Sequence, residues 1–172
     1  MKIKKFCMVF VVVLAMTNLS QSSFAGVTKE DIQSVVTRVE KAVALIQSEG
    51  DSAYPKLVDP KGEFVGGSDY VFVFSLKEED KGVLTLHIKE GMIGKSLMGL
   101  KEPDTNRKFA QDFVIIAESQ EGRGWTEYKW SRPDQKVIDI KATYIMKVPG
   151  KPLAVGSGIY GVTKAEAESM TK

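Results

Sequence analysis

Only one cysteine and one histidine occur among the 172 residues of the chain. A single cysteine can form neither an internal disulfide nor a thiolate metal cluster, and a single histidine cannot supply a metal site that draws on several imidazoles. The formal charge is +2, and lysine and arginine form no cluster in the body of the chain, so a nucleic-acid partner is not expected. The composition is otherwise that of a folded protein, and the length favours a single domain.

Three short motifs for catalysis or ligand binding are also absent. The chain has no Gly-x-Ser-x-Gly elbow for a nucleophilic serine, no Gly-x-x-x-x-Gly-Lys-Ser/Thr phosphate loop and no Asp-x-Asp-x-Asp-Gly calcium loop. Residues 91–96 end in Gly-Lys-Ser, but only two residues separate the two glycines of this segment. We therefore expect a non-enzyme without cofactor or metal, and a small hydrolase is the less favoured alternative.

The first 25 residues follow the three-part pattern of a secretory signal peptide. Three lysines in residues 2–5 precede an apolar run at residues 6–16, and the small residues Ser23 and Ala25 mark a cleavage site. The apolar run is too short for a membrane span, which needs about 20 residues. We predict that cleavage after Ala25 releases a periplasmic or secreted protein, and that the only cysteine leaves with the signal peptide.

Apolar residues at three- and four-residue steps predict a long N-terminal helix over residues 28–49, capped at its start by a threonine. A short second helix is predicted at residues 51–58. A third is expected at residues 104–119, with Asp104 as its cap, after a long glycine-containing loop. Residues 163–172 are polar and partly helical in propensity, and they predict a loose C-terminal tail.

Between these helices the period of the apolar residues changes to that of strands. Gly156 and Gly158 lie inside one predicted strand, where they predict a bulge or a close backbone approach. Short turns join most of the strands, which favours an antiparallel sheet. The helices are expected to cover one face of this sheet, giving an α+β domain. The five predicted strands are residues 69–76, 82–88, 124–130, 141–148 and 153–160.

Three groups of residues could carry chemistry. His87 could donate a hydrogen bond or a positive charge to an anionic ligand, or it could face solvent at the end of its strand. Tyr128 and Trp130 share one face of their predicted strand, which suits either a pocket for a small polar ligand or a packed sheet face. Lys141 and Tyr144 open the next strand and could join that face, although lysine is more commonly solvated.

Eight short motifs follow one another along residues 28–162: Tyr70–Phe74, Leu86–His87, Gly94–Leu97, Glu102–Asp104, Phe109, Gly124–Trp130, Lys141–Tyr144 and Gly156–Tyr160. In this order they resemble the single Cache domain (type 2) of bacterial sensors. Each motif is short, but the ordered set is specific. Two positions depart from the family pattern: Ile88 stands where a proline usually follows the histidine, and Thr105–Asn106 replaces a glycine turn.

The resemblance implies a PAS-like, antiparallel five-stranded sheet that follows a long N-terminal helix and contains a helix in its crossover. It also implies an extracytoplasmic sensor of small molecules, typically short organic acids. A lysine and phenol hydroxyls suit a carboxylate, while aromatic walls exclude water. Carried over by motif, the implied ligand-binding residues are Tyr70, Phe72, His87, Tyr128, Trp130, Lys141 and Tyr144.

These observations predict an exported, sensor-type domain at residues 26–162 that binds a small carboxylate or related metabolite. Sensors of this kind continue after the last strand into a membrane helix, whereas only twelve residues follow Tyr160, so we expect signalling to need a separate membrane or periplasmic partner. In such receptors the N-terminal helix often dimerises, so a homodimer through this helix is also expected. The alternative is a structural or accessory protein whose pocket has closed.

Overall fold

The structure is a computed structural model that describes residues 26–132 and 137–171. The predicted signal peptide lies outside the described residues, as do residues 133–136 of the connection before the fourth predicted strand. The helices are α1 (Lys29–Glu49), α2 (Tyr54–Leu57), α3 (Ala110–Glu118) and α4 (Lys164–Met170). The strands are β1 (Val65–Gly66), β2 (Asp69–Ser75), β3 (Leu84–Leu86), β4 (Arg123–Ser131), β5 (Ile138–Lys147) and β6 (Leu153–Tyr160). Short 3-10 helices lie at Gly50–Ala53, Glu78–Asp80, Glu90–Met92 and Leu97–Gly99.

Helix α1 begins at a capping box and confirms the predicted N-terminal helix. The Thr28 hydroxyl accepts a hydrogen bond from the Asp31 amide at 3.2 Å, and the Asp31 carboxylate accepts one from the Thr28 amide at 2.9 Å. The apolar stripe of the helix is buried against the sheet, so its outward face is mostly polar. Within the described ranges no helix is both long and apolar enough to cross a membrane.

All strand pairs are antiparallel, and the sheet runs in the order β3-β2-β6-β5-β4. This confirms the predicted α+β class and the PAS-like sheet with its five main strands. The two-residue strand β1 adds a sixth, pairing with the first residues of β2, where the sequence predicts only a loop. It is too short to show any period of apolar residues, which is why pattern reasoning does not detect it.

Helices pack on both faces of the sheet, so the expectation that they cover one face is wrong. Along β2, Val71 and Val73 join the cluster around α1, whereas Phe72 and Phe74 join the cluster around Phe113 of α3. A strand whose two faces are both apolar needs cover on both sides. The continuous apolar run of β2 is therefore explained by a three-layer arrangement with the sheet in the middle.

The crossover helix begins later than predicted. Helix α3 starts at Ala110, and Asp104 does not cap it: the Asp104 carboxylate pairs with Lys129 of β4 at 2.6 Å. Nearby, the buried Glu102 carboxylate accepts hydrogen bonds from the Lys129 amide at 3.3 Å and from Arg107 at 2.9 Å. These tertiary contacts hold the segment before α3 against the edge of β4 in an irregular conformation, so a helix cannot extend through it.

The predicted loose tail is wrong over residues 164–170, which form helix α4. Thr163 and Glu166 make a second capping box, and Ala167 is completely buried. The Trp125 indole donates a hydrogen bond to the Thr171 hydroxyl at 3.3 Å. The Thr-x-x-Glu spacing is a helix-start signal visible in the sequence, so this helix could have been predicted.

Candidate functional site

A small cavity of about 60 Å³ lies on the α3 side of the sheet. Its walls come from β2, β4 and β5 of the sheet, from β3 and the residue after it, from the long connection that leads into α3, and from α3 itself. Six of the seven residues expected to bind ligand lie around it, and the seventh does not. The lining residues are Tyr70, Phe72, Leu84, His87, Met92, Leu97, Leu100, Phe109, Phe113, Tyr128, Trp130 and Lys141.

Lys141 is the one cation among these lining residues, and only 3% of it is exposed. In the described part of the chain no carboxylate lies within ion-pair distance of its ammonium group. The Lys141 Nζ atom instead sits 5.1 Å from the centre of the Tyr70 ring and 4.9 Å from that of the Tyr160 ring. Burial lowers the pKa of Lys141 from 10.5 to about 8, and the negative charge of Asp69 offsets only part of this effect.

The strand register and two glycines set the position of this lysine. Lys141 on β5 stands opposite Tyr128 of β4 and Tyr160 of β6. A Cβ atom added to Gly158 would lie 2.4 Å from Lys141 Cε, and one added to Gly156 would lie 2.4 Å from Phe72 Cζ. The sequence predicts a bulge or a close backbone approach at these glycines. The strand register is regular there, and the groups that come closest are side chains, of which Lys141 and Phe72 line the cavity.

Tyr128 and Trp130 share one face of β4, as the strand alternation predicts. The Tyr128 ring stacks on Phe109 with 4.0 Å between ring centres, and Trp130 meets Phe109 edge-on at 5.3 Å. The Thr143 hydroxyl donates a hydrogen bond to the Tyr128 hydroxyl at 3.1 Å, which leaves the phenol proton available to a ligand. Burial raises the pKa of Tyr128, so this phenol stays a neutral donor.

His87 lines the cavity as a neutral imidazole. Its Nδ1 atom accepts a hydrogen bond from the Lys89 amide at 2.9 Å, so the ring proton of the neutral form is on Nε2. Burial, followed by the charges of Lys89 and Lys141, lowers the pKa of His87 from 6.5 to about 4. Of the two roles considered for His87 from the sequence, the structure supports a hydrogen-bond donor and not a positive charge near neutral pH.

Tyr144 does not line this cavity, and the expectation that it joins the same face as Tyr128 is wrong. Its ring packs against Trp125 at 5.2 Å, in the cluster that α1 covers on the opposite face of the sheet. Side chains alternate along a strand, so residues three positions apart point to opposite faces. The three-residue spacing between Lys141 and Tyr144 therefore already predicts that the two side chains lie on opposite faces of the sheet.

Sequence reasoning missed two parts of the site. Tyr160, whose ring lies beside the Lys141 ammonium group, follows from the β5–β6 register, which the sequence does not specify. The other part is the cover of the cavity, contributed by Met92, Leu97 and Leu100 from a stretch read only as a long loop. No period in that stretch indicates which of its apolar residues face inward.

A wider surface groove of about 740 Å³ follows the edge of β4 between α3 and α4, but its charges are already paired. Arg107 contacts both Glu102 and Asp112, and Lys164 contacts Glu168. The described residues also contain no group of three carboxylate, imidazole or thiol side chains that could hold a metal ion. The small cavity, with its buried cation, is therefore the better candidate for a ligand site.

A family model described as a Cache domain matches residues 22–168 of the chain. Three solved structures share its fold at a TM-score of 0.55 each. A periplasmic sensor domain of a chemotaxis protein is 23% identical, with 75% of this chain and 89% of that one covered. A methyl-accepting chemotaxis protein from Vibrio parahaemolyticus RIMD 2210633 is 19% identical, with 77% and 84% covered.

The third structure is a Cache chemosensory domain described for its recognition of carboxylic acids. It is 18% identical, and the match covers 77% of this chain and 90% of that one. No curated protein is similar enough to be matched to the chain.

Proposed function

The chain belongs to the Cache domain family, and on that premise we propose that it is an exported sensor domain whose small cavity binds a short carboxylate. One observation carries the proposal: the cavity contains a buried ammonium group, that of Lys141, with no carboxylate partner in the described residues. A buried charge is costly unless it is paired. A carboxylate ligand would supply the missing partner in surroundings where the attraction is strong.

The volume of the cavity limits the ligand to a small molecule. At about 60 Å³ the cavity is far smaller than the pockets of roughly 300–1,000 Å³ that hold drug-sized ligands, so only a very small molecule fits without rearrangement. Acids with about two or three carbon atoms are therefore the proposed class. The apolar walls, formed by side chains such as Phe72, Phe109 and Trp130, suit the short alkyl part of such an acid.

Neutral donors around the cavity complete the proposed carboxylate site. His87 has its Nε2 proton to donate, and Tyr70 and Tyr128 have phenol protons to donate. A carboxylate has about four lone-pair sites, so it can accept from the ammonium group and from these donors together. The recognition of carboxylic acids by one structural relative supports this class by analogy, although the low identity extends no individual contact to this chain.

The proposed route of signalling involves export and a membrane-bound partner. The proposed signal peptide at residues 1–25 would carry the chain out of the cytoplasm. A structural relative is likewise a periplasmic sensor domain. We propose a membrane-bound partner that reads the liganded state. The polar outward face of α1 is the proposed surface for a homodimer, and analytical ultracentrifugation of the mature protein would test it.

We expect acetate or propionate to stabilise the purified mature protein against thermal unfolding. Ligand at about one hundred times its Kd should add about 2.7 kcal/mol to the free energy of unfolding. The affinity should fall by up to about tenfold for each pH unit above about pH 8, because Lys141 then loses its proton. Differential scanning fluorimetry across a set of small carboxylates, amines and amino acids, followed by calorimetry, would measure both effects.

The matched control is Lys147→Met, which removes an exposed lysine from the same strand and should leave ligand affinity unchanged. Lys141→Met should abolish the carboxylate response. If no carboxylate stabilises the wild-type protein, the proposed function is wrong and the accessory protein with a closed pocket becomes the better description.

A pair of tyrosine variants separates the two faces of the sheet. Tyr144→Phe should change carboxylate affinity by less than about twofold, since Tyr144 lies beneath α1. Tyr128→Phe should weaken binding by about fivefold or more, because it removes one donor from the cavity, and such a hydrogen bond is worth about 1 kcal/mol or more. Isothermal titration of both variants measures this difference. Equal losses in the two variants would contradict the assignment of the site to the α3 face.

A further inference from the structure

Lys141 has a second chemical capacity, because a buried amine without an anionic partner is also a nucleophile. We propose that Lys141 captures small aldehydes and 2-oxo acids as a reversible imine, so that the cavity binds carbonyl compounds covalently as well as carboxylates by charge. This inference rests on the ligand cavity of the proposed function. It concerns a different reaction of the same side chain, and it can fail while carboxylate binding stands.

The surroundings of Lys141 favour a reactive amine. Among the described residues that line the cavity there is no carboxylate to hold the amine protonated, and the rings of Tyr70 and Tyr160 lie beside the amine, with their centres 5.1 and 4.9 Å from it. Burial lowers the pKa of Lys141 to about 8. At about pH 7.5 roughly a quarter of such amines are neutral, against roughly a thousandth for a lysine with the usual pKa of 10.5.

The proposed step balances without any other reactant. The neutral amine attacks the carbonyl carbon, a C–N bond forms and a carbinolamine results. The carbinolamine then loses its oxygen as water, which leaves a C=N bond to Nζ. Overall, one ammonium group and one carbonyl compound give one protonated imine and one water. The positive charge stays at Nζ, where it can still pair with the carboxylate of a 2-oxo acid.

Neighbouring phenols can assist the loss of water. The Tyr128 hydroxyl already accepts a hydrogen bond from Thr143, so its own proton is free to point towards the departing oxygen. Tyr70 places a second, half-buried phenol at the same cavity, and desolvation raises its pKa, so it too remains a donor. The apolar walls limit the access of bulk water, which otherwise returns the imine to the amine.

The test uses glyoxylate, the smallest 2-oxo acid, with cyanoborohydride to reduce any imine to a stable secondary amine. Purified mature protein would be treated at about pH 7.5 and analysed by intact mass and peptide mapping. We expect a carboxymethyl adduct on Lys141 that forms at least about tenfold faster than on any other lysine, and peptide mapping separates it from the adduct on the N-terminal α-amino group, whose usual pKa is also about 8. The Lys147→Met control should label normally, and Lys141→Met should show no fast adduct.

Glycolate provides a matched ligand of the same size without the carbonyl group. It should bind as a carboxylate and slow the labelling of Lys141 in the wild-type protein, a result that does not depend on the folding of any variant. Glycolate binding without fast labelling of Lys141 would overturn the imine proposal and leave the proposed function intact. Fast labelling of Lys141 without binding of any carboxylate would support the imine proposal and contradict the proposed function. If neither occurs, both are wrong.

Discussion

Lys141→Met is expected to stabilise the ligand-free domain by on the order of 2–3 kcal/mol near pH 7, although it abolishes carboxylate binding. Only 3% of the lysine is exposed, and burial lowers its pKa from 10.5 to about 8. Each pKa unit corresponds to about 1.4 kcal/mol, so keeping this group charged costs about 3 kcal/mol in the folded state. Methionine of similar length removes that cost, but it also removes the contacts of the ammonium group with two tyrosine rings, which offsets part of the gain.

The pH dependence of this difference has a defined sign. The folded-state pKa is lower than the unfolded value, so between about pH 8 and pH 10.5 the unfolded chain binds more protons than the folded one. The free energy of unfolding of the wild-type protein should therefore rise with pH across this window relative to that of Lys141→Met. Below about pH 8 the full destabilisation by the buried charge is present, and above pH 10.5 it is lost.

Urea denaturation of both proteins at about pH 7 and about pH 10 measures this effect, and Lys147→Met is the control on the same strand. The control should show no comparable gain, because its side chain is exposed. A Lys141→Met variant less stable than the wild type at about pH 7 would contradict the assignment of Lys141 as an unpaired buried charge. Stabilisation together with loss of ligand binding would identify a residue retained for function at a cost in stability.

The main strands and α1 were predictable because their apolar residues have a clear period. In α1 the three- and four-residue steps coincide with a capping box at Thr28, so local signals and packing agree. The three layers were predictable as well, because a continuous apolar run such as β2 needs cover on both faces of the sheet. The start of α3 was not predictable at all, since it depends on the contact of Glu102 with the Lys129 amide, 27 residues away in sequence.

The candidate site shows the same division. Tyr128 and Trp130 were placed correctly by alternation within one strand, and applying the same rule to Lys141 would have excluded Tyr144. The position of Tyr160 beside Lys141 depends on the register between β5 and β6, which is known only from the folded structure. Among the cover residues in the connection before α3, Met92 and Leu97 lie in 3-10 helices of three residues, which are too short to show a period of apolar residues.

Gly158→Ala is expected to destabilise the domain by on the order of 3 kcal/mol and to abolish carboxylate binding. The new methyl group would lie 2.4 Å from Lys141 Cε, 2.5 Å from Thr143 Oγ1 and 3.0 Å from the Ala142 carbonyl oxygen. The two side chains can move only towards the cavity or into neighbouring groups, and the carbonyl oxygen belongs to the adjacent strand. Chemical denaturation measures the loss of stability, and calorimetry measures the loss of affinity.

A matched control and a double variant identify which contact causes the loss of stability in Gly158→Ala. Gly124→Ala, also inside a strand, should change stability by less than about 1 kcal/mol, because its nearest neighbour would be Ile116 Cγ2 at 3.4 Å. Adding Lys141→Ala to Gly158→Ala should recover part of the stability, since the shortest contact then disappears. No recovery in the double variant would mean that Thr143 and the Ala142 carbonyl dominate the clash. If Gly158→Ala changes neither stability nor ligand affinity, this would contradict the close packing of Lys141 against β6, on which the proposed carboxylate site depends.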